Sequence, residues 1–210
     1  MIVVNYHDDL NEVQGDAALA ALLGALPAPA PFDRLAWWQG LAEHCGLAPL
    51  IAVASDGEAH AVLALQRSGG ELSALANWYT FRWQPLFTPG GDALLVALAR
   101  DLAKQSRRIT LAPLPDEQGE TAQLEAAFRA AGWRTFRAVC DVNHVLPVNG
   151  RSYAEYLAAR PGPVRTTLKR KASKVVVTIE TAFNPANWAA YEAIYAESWK
   201  IGRASCRERV

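Results

Sequence analysis

The chain has 210 residues, of which 51% are hydrophobic and 20% charged, and its 21 Lys and Arg residues balance 21 Asp and Glu residues. This composition is typical of a globular protein and excludes wholesale disorder, while the balanced charge argues against a protein that coats nucleic acid. Three widely separated cysteines, Cys45, Cys140 and Cys206, provide neither a disulfide framework nor the ligand spacing of a zinc site.

Hydrophobic spacing and turn signals predict regular elements through residue 150. Leu35, Trp38 and Leu41 recur at helical spacing, and Gly46 is the expected C-cap of their helix. Asp56-Gly57 and Gly69-Gly70 are hairpin signals that predict an antiparallel meander. In chain order we predict a strand at 2–5, helices at 16–26 and 32–45, strands at 50–54, 59–66 and 71–78, a helix at 93–104, a strand at 108–112, a helix at 121–131 and a strand at 133–146.

In this order antiparallel strands come first, and strands alternating with helices come second. The order predicts an α/β fold with a mixed sheet, of the α+β type, rather than a doubly wound parallel sheet. We place the first domain at residues 1–150 and expect Asp92 to be the N-cap of the helix at 93–104.

Residues 151–200 begin a segment of different character. Ser152 and Glu155 have the spacing of a capping box, and the Arg-Pro-Gly-Pro sequence at 160–163 ends the helix that they begin. We predict a basic helix at 164–173, a strand in the β-branched run at 174–183 and a helix with an aromatic side at 184–200. This segment starts a second domain without completing it.

The two ends of the chain carry separate expectations. Neither a signal peptide nor an apolar run of about 20 residues is found, so we expect a soluble, cytoplasmic protein with no transmembrane segment. The last ten residues, IGRASCRERV, equal one reading frame of a widely used short-read sequencing adapter. We therefore expect residues 201–210 to be a non-native tail on a truncated protein; a natural basic tail is the alternative.

Three local patterns occur in an order that resembles one enzyme superfamily. They are Phe32-Asp33-x-x-x-Trp37, the run LANWYTF at 75–81, and Arg165-x-x-Leu168-Lys169-Arg170-Lys171 followed by a Val-rich segment. Together with the order of elements, they resemble the GNAT acetyltransferases, and more closely the two-lobed FemAB-like branch. The resemblance implies a GNAT-like lobe at 1–150 and the truncated start of a second GNAT-like lobe at 151–200.

The same resemblance implies an N-acyltransferase activity. Acetyl-CoA or another acyl-CoA would be the donor, and a small-molecule or envelope-precursor amine would be the acceptor, attacking a thioester whose carbonyl is polarised by a backbone N–H. The family usually places its donor site in the second lobe, so we expect this fragment to be inactive. The alternative is a noncatalytic lobe that binds a cell-envelope or polysaccharide precursor. No catalytic residue and no metal ligand is assigned.

The basic helix is the strongest candidate for an anion site. Five positive charges fall within residues 165–174 without an acidic residue among them, although like charges four residues apart repel on a helix. Such a patch favours a bound phosphate of the substrate or cofactor, with a solvated surface as an equally supported alternative. Nucleic acid is a third option, and we expect none to bind because the rest of the chain lacks a wide basic surface. The proposed phosphate-binding residues are Arg165, Lys169, Arg170 and Lys171.

An aromatic cluster follows the third strand of the meander. It is predicted to line a substrate groove, with core packing as the more common role of such residues. The proposed groove-lining residues are Asn77, Trp78, Tyr79 and Phe81, with Trp83 and Phe87 in the same cluster.

Two glycine-rich turns are candidates for phosphate loops, which require a helix N-terminus. The turn at 66–71 precedes a strand, which favours a plain hairpin turn. The turn at 88–91 precedes a helix, but the carboxylate of Asp92 would repel phosphate, which favours a capped turn.

Overall fold

The computed structural model describes residues 1–24, 30–117, 119–140 and 145–207. The chain divides into two compact units, Met1–His144 and Val145–Val210, which are called the first and second units below. The sequence pattern placed the boundary at residue 150.

A mixed sheet forms the centre of the first unit. Its strands are β1 (Val3–His7), β2 (Pro49–Asp56), β3 (Ala59–Ser68), β4 (Glu71–Ala74), β5 (Leu86–Phe87) and β6 (Ile109–Thr110). Their order across the sheet is β1-β2-β3-β4-β6, with β5 paired to β3 beside that path. The pairs are antiparallel except for β4 with β6, whose parallel register aligns Leu72 with Ile109. The predicted α/β fold with a mixed sheet is therefore confirmed.

Two glycine turns produce the antiparallel meander. Gly57 lies between β2 and β3 with a φ of 63°, and Gly69 and Gly70 join β3 to β4 with φ values of 58° and 82°. Because residues with a Cβ rarely adopt positive φ, glycine allows the chain to reverse within two residues. Both predicted hairpin turns are confirmed, including the one at 66–71.

Helices pack on both faces of this sheet. They are α1 (Leu10–Gly15), α2 (Ala17–Leu22), α3 (Leu35–Cys45), α4 (Leu95–Leu102) and α5 (Glu120–Ala130), with 3₁₀ turns at Pro31–Asp33 and Gly91–Leu94. Gly46 ends α3 in the left-handed conformation, as predicted. Asp16 caps α2 by accepting hydrogen bonds from the backbone N–H groups of Ala18 and Leu19.

Strands β2 and β3 are buried on both faces, which explains why their apolar residues form continuous runs. Along β2, Leu50, Ala52 and Ala54 belong to the core that includes α4 and α5. The intervening Ile51 and Val53 belong to a second core with α1, α2 and α3. The sheet therefore separates two hydrophobic cores.

Several predictions for the first unit are wrong or too long. The strand predicted at 133–146 is wrong, because its described residues, 133–140 and 145–146, form no strand. Residues 141–144 lie outside the described part. β-Branched residues favour a strand only where a neighbouring strand pairs with them, and that pairing is absent here. Asp92 is not an N-cap, because the 3₁₀ turn begins at Gly91 and has no side-chain cap. The strands predicted at 71–78 and 108–112 shorten to β4 and β6.

The second unit contains helices α6 (Tyr153–Ala158), α7 (Gly162–Ala172) and α8 (Pro185–Arg207). Ser152 and Glu155 form the predicted capping box at the start of α6. The strand predicted at 174–183 is wrong, because those residues form no strand and have no partner strand in the described part of the unit. The helix end predicted at residue 200 is also wrong, because α8 continues to Arg207. Arg and Ala, which occur in this last stretch, are good helix formers. None of residues 145–198 is buried.

Candidate functional site

A hydrogen-bonded turn at the end of the meander presents the predicted groove residues. The side-chain Oδ1 of Asn77 accepts hydrogen bonds from the backbone N–H of Tyr79 at 3.0 Å and from the hydroxyl of Thr80 at 3.2 Å. The backbone N–H of Thr80 donates to the carbonyl of Asn77 at 3.0 Å. These bonds hold residues 77–81, called the aromatic turn below, in one conformation.

The aromatic turn exposes large rings to solvent. The exposed fraction is 84% for Trp78, 77% for Phe81 and 46% for Tyr79, whereas Thr80 between them is buried. Exposed clusters of aromatic side chains on a soluble protein mark interaction sites more often than single exposed apolar residues do. Three of the four predicted groove residues are therefore accessible to a ligand.

Asn77 and Trp83 have structural roles. The amide of Asn77 holds the turn, and its Nδ2 lies 3.5 Å from the Sγ of Cys45 at the end of α3. Trp83 is buried, and its Nε1 donates to the carbonyl of Ala64 at 2.7 Å. Phe87 lies in β5, where it pairs with Ala61 of β3. The cluster that looked uniform in sequence therefore divides into exposed rings and core rings.

An ion pair with a buried carboxylate and a half-buried guanidinium lies beside the aromatic turn. The Nη2 of Arg82 donates to the Oδ2 of Asp33 at 2.9 Å, and the Nε2 of Gln84 donates to the same oxygen at 3.2 Å. Only 3% of Asp33 is exposed. Burial raises the pKa of Asp33 above its ordinary value, although the hydrogen bond and the charge of Arg82 act in the opposite direction. Asp33 and Arg82 together carry no net charge.

Aromatic contacts join this pair to the turn. The ring of Phe32 lies 5.1 Å from that of Trp37 and 5.9 Å from that of Phe81, with interplanar angles of 81° and 84°. These edge-to-face contacts are a favoured geometry for aromatic pairs. The motif around Phe32 at the start of α3 and the motif at 75–81 are thus brought together into one site, called the aromatic–acid site below.

The sequence analysis did not predict the contact between Asp33 and Arg82. Asp33 appeared there only as part of a family motif, and Arg82 lies 49 residues away from it in the chain. Opposite charges at such a separation leave no periodic signal. Only the folding of the 3₁₀ turn at Pro31–Asp33 against the loop after β4 brings them together.

The site also contains N–H groups without an acceptor. Within the described part of the chain, the buried Nε1 of Trp37 and the buried Nε atoms of Arg34 and Arg82 have no hydrogen-bond partner. Buried donors are usually paired with protein or water, because an unpaired donor is costly. Because these three nitrogen atoms are buried, they are not presented to a ligand at the surface of the site.

The predicted phosphate-binding residues lie on α7 in the second unit. Arg165, Lys169, Arg170 and Lys171 are all exposed, and Lys174 follows the helix end. Among the described residues, none of these side chains forms a salt bridge with a carboxylate. Their charges remain available to an anion, as well as to solvent.

The turn at 88–91 has a packing role. Gly91 lies so close to β3 that an added Cβ would be 1.9 Å from the carbonyl oxygen of His60. The backbone N–H of His60 donates to the Oγ1 of Thr88 at 2.7 Å, which ties the turn to the strand. The glycine is required by this close approach.

A groove of about 1100 Å³ lies elsewhere in the first unit, between β6, α5 and residues 133–140. It contains none of the predicted site residues. Arg137, on its wall, is already paired with Glu125 at 3.0 Å and Asp116 at 3.3 Å. Residues 133–140 line this groove without forming a strand, and we do not assign it a ligand.

Neither a metal centre nor a membrane span is found among the described residues. They contain no group of three or more His, Cys, Asp or Glu side chains arranged to hold a metal ion. Over the same part of the chain, no helix combines the length and the apolar character that crossing a bilayer requires. Comparisons with known protein families, with curated proteins and with solved structures found no match to this chain.

Proposed function

We propose that the first unit of this chain is the acceptor-binding part of an N-acyltransferase-like protein, and that the acceptor lies at the aromatic–acid site. The observation that carries the proposal is that the turn with the exposed rings of Trp78 and Phe81 meets the buried Asp33 and its partner Arg82, through the contact of Phe81 with Phe32. A site with apolar walls and a few oriented polar groups is the usual form of a small-molecule site.

Rigidity supports a binding role for the aromatic turn. Its conformation is held by the hydrogen bonds of Asn77 and Thr80, so a ligand would not have to order the loop as it binds. When a ligand covers the exposed rings, the free energy of the complex falls by roughly 25 cal/mol for each Å² of apolar surface removed from water. Both terms favour association at this surface.

The acyl-transfer step belongs to the proposal through the family resemblance. In that step the acceptor amine attacks the thioester carbonyl of an acyl-CoA and a general base removes the amine proton, so that the amide C–N bond forms while the C–S bond breaks and CoA leaves as a thiolate that takes up a proton. Asp33 is a poor candidate for that base, because its Oδ2 already accepts from Arg82 and Gln84. The first unit is accordingly proposed to bind and orient the acceptor, and the catalytic residue remains unassigned.

The cations of α7 are proposed to bind the phosphates of the acyl-CoA. Guanidinium and ammonium groups form charge-assisted hydrogen bonds with phosphate oxygens, and these are stronger than neutral ones. The alternative function is a noncatalytic lobe that holds a cell-envelope or polysaccharide precursor. It is favoured by the same exposed rings and needs no acyl-CoA.

Calorimetric titration of acetyl-CoA into the 210-residue chain distinguishes the two functions. The acyltransferase proposal expects binding that weakens by at least about tenfold in the variant Lys169→Glu, Arg170→Glu, because each charge-assisted contact contributes more than about 1.4 kcal/mol. The matched control is Arg107→Glu, Arg134→Glu, a double reversal of exposed charge in the first unit, which should leave binding unchanged. Absence of binding to the unaltered chain, or equal weakening by both variants, contradicts the proposed donor site.

A further inference from the structure

We infer that the groove beside β6 receives a β-strand from a second copy of this chain, rather than a small molecule, and that the strand is the run KVVVTIE at 174–180. Two copies exchange these strands reciprocally and form a closed dimer. The inference goes beyond the proposed function, because none of the residues of the aromatic–acid site lines this groove.

The sheet ends with an open edge at β6. Among the described strands β6 pairs only with β4, and on that side the carbonyl of Arg108 accepts from the N–H of Leu72. Successive residues of a strand direct their backbone groups to opposite sides, so those of Ile109 point away from β4. An edge of this kind is a template for one more strand, which can come from another chain.

The opposite wall of the groove has a free backbone as well. Within the described ranges, no backbone group of residues 134–140 bonds to another backbone group. Side chains hold this wall in place: the Nε1 of Trp133 donates to the carbonyl of Ala99 at 2.7 Å, and the Nη2 of Arg137 pairs with Glu125 at 3.0 Å. A strand between the two walls therefore finds backbone donors and acceptors along both of its edges.

The floor and the size of the groove suit a strand. Ile109, Leu111 and Trp133 line it and pack against the core that includes α4 and α5. One residue of a strand takes up roughly 160 Å³, given a rise of about 3.3 Å, a strand spacing of about 4.8 Å and a distance of about 10 Å between packed sheets. By that measure the groove of about 1100 Å³ accommodates about seven residues.

Residues 174–180 are a strand-forming run without a sheet. Val175, Val177 and Ile179 alternate along it, and such β-branched residues favour strands. They are 61%, 78% and 84% exposed, and over the described part of the chain no backbone group of the run beyond Val175 bonds to another backbone group. In the groove these three side chains cover the apolar floor, while Thr178 faces the other side of the sheet.

The charges of the two units favour association between copies. Residues 1–144, which form the groove, contain 10 Lys and Arg against 16 Asp and Glu. Residues 145–200, which supply the strand, contain 8 Lys and Arg against 4 Asp and Glu. Opposite net charges steer two partners toward each other and suppress association between like surfaces.

Sedimentation velocity of the 210-residue chain at micromolar concentrations, under reducing conditions, tests the inference. The expected species has twice the 22.8 kDa mass of one chain. The variant Val177→Asp, Ile179→Asp should raise the dissociation constant of the dimer at least about a hundredfold, as expected for the loss of two buried aliphatic side chains. The matched control Val145→Asp, Val148→Asp places the same charges on exposed apolar residues outside the run and should have no effect.

Hydrogen–deuterium exchange locates the contact. In the unaltered dimer the backbone N–H groups of Ile109 and of residues 134–140 should exchange more slowly than in the variant Val177→Asp, Ile179→Asp, because the added strand bonds to them. Equal exchange of these groups in both proteins overturns the inference. A monomeric chain, an assembly larger than a dimer, or a dimer that both double variants weaken equally also overturns it. None of these outcomes affects the proposed acceptor site.

Discussion

Asp33 shows how one residue acquires its properties from distant parts of the chain. It follows Phe32 in a short 3₁₀ turn, and only 3% of it is exposed. A carboxylate buried to this extent needs partners, which Arg82 and Gln84 supply from a loop after β4. The neutral pair that results leaves the aromatic turn without a net charge beside it.

The raised pKa of Asp33 predicts a pH dependence of stability. Because its pKa is higher in the folded state than in the unfolded state, its contribution is fully present below the unfolded value and is lost as pH rises through the folded value. In Asp33→Asn this contribution is absent. The difference in free energy of unfolding between the unaltered chain and this variant should therefore shrink as pH rises from about 4 toward neutral.

Urea unfolding at a series of pH values measures that difference. Arg82 lowers the pKa of Asp33, so Arg82→Gln should move the loss of stability to higher pH. A difference that grows with pH, or that does not depend on it, contradicts the stated environment of Asp33.

At the scale of elements, the 88–91 turn crosses β3, and this crossing explains why residue 91 is a glycine. In the sequence, Gly91 resembles part of a phosphate loop. The N–H of Thr88 donates to the carbonyl of His60 at 3.1 Å, and the N–H of Gly91 donates to the carbonyl of Thr88 at 2.9 Å. The turn therefore lies directly against a central strand, where the backbone has no freedom to move aside. Gly91 is needed because there is no room for a side chain.

Gly91→Ala is expected to destabilise the first unit by about 1–3 kcal/mol or more, because its Cβ would overlap the carbonyl of His60. The matched control is Gly40→Ala within α3, where nothing lies within 4 Å of the added Cβ. That change should stabilise by about 0.4–1 kcal/mol, since alanine favours the helix. The midpoint of urea unfolding reports both values. Equal effects of the two changes would be incompatible with the close approach at His60.

At the scale of the whole molecule, the two units differ in how their residues are buried. The first unit has a hydrophobic core on each side of its sheet. In the second, no residue from 145 to 198 is buried, and its helices expose apolar side chains such as Trp188 and Tyr191. Helices as short as α6 and α7 gain most of their stability from packing, so the second unit should open more easily.

Limited digestion with trypsin tests this difference. The earliest cuts should follow Arg165, Lys169, Arg170, Lys171 or Lys174, leaving a stable fragment that contains the whole first unit. Arg67 in β3 and Arg100 in α4 should be cut much later, because both lie in elements that pack into a core. Mass spectrometry of the products identifies the order. Early cleavage at Arg67 or Arg100 would show that the first unit is not the more stable one.

How well the sequence predicted the site depends on how far apart in the chain the interacting residues lie. The exposed aromatic run could be found because its residues are adjacent in sequence, and the hairpins could be found because Asp-Gly and Gly-Gly pairs at a turn are local signals. The division of that run into exposed Trp78 and Phe81 and buried Trp83 could not be found, because it depends on which side of the loop faces β3. The strands expected at 133–146 and 174–183 failed for a related reason: a strand requires a partner, and sequence composition does not report one.

The sequence by itself determined the mixed α/β character, the meander with its two glycine turns, the capping box of Ser152 and Glu155, and the concentration of charge in α7. Each of these depends on residues within a few positions of one another, where propensity and hydrogen bonding act locally. The tertiary structure alone decided that Asp33 meets Arg82, that Gly91 lies against His60, and that Phe32 contacts Phe81. These contacts join residues tens of positions apart, because side chains are brought together by the packing of whole elements around a shared core.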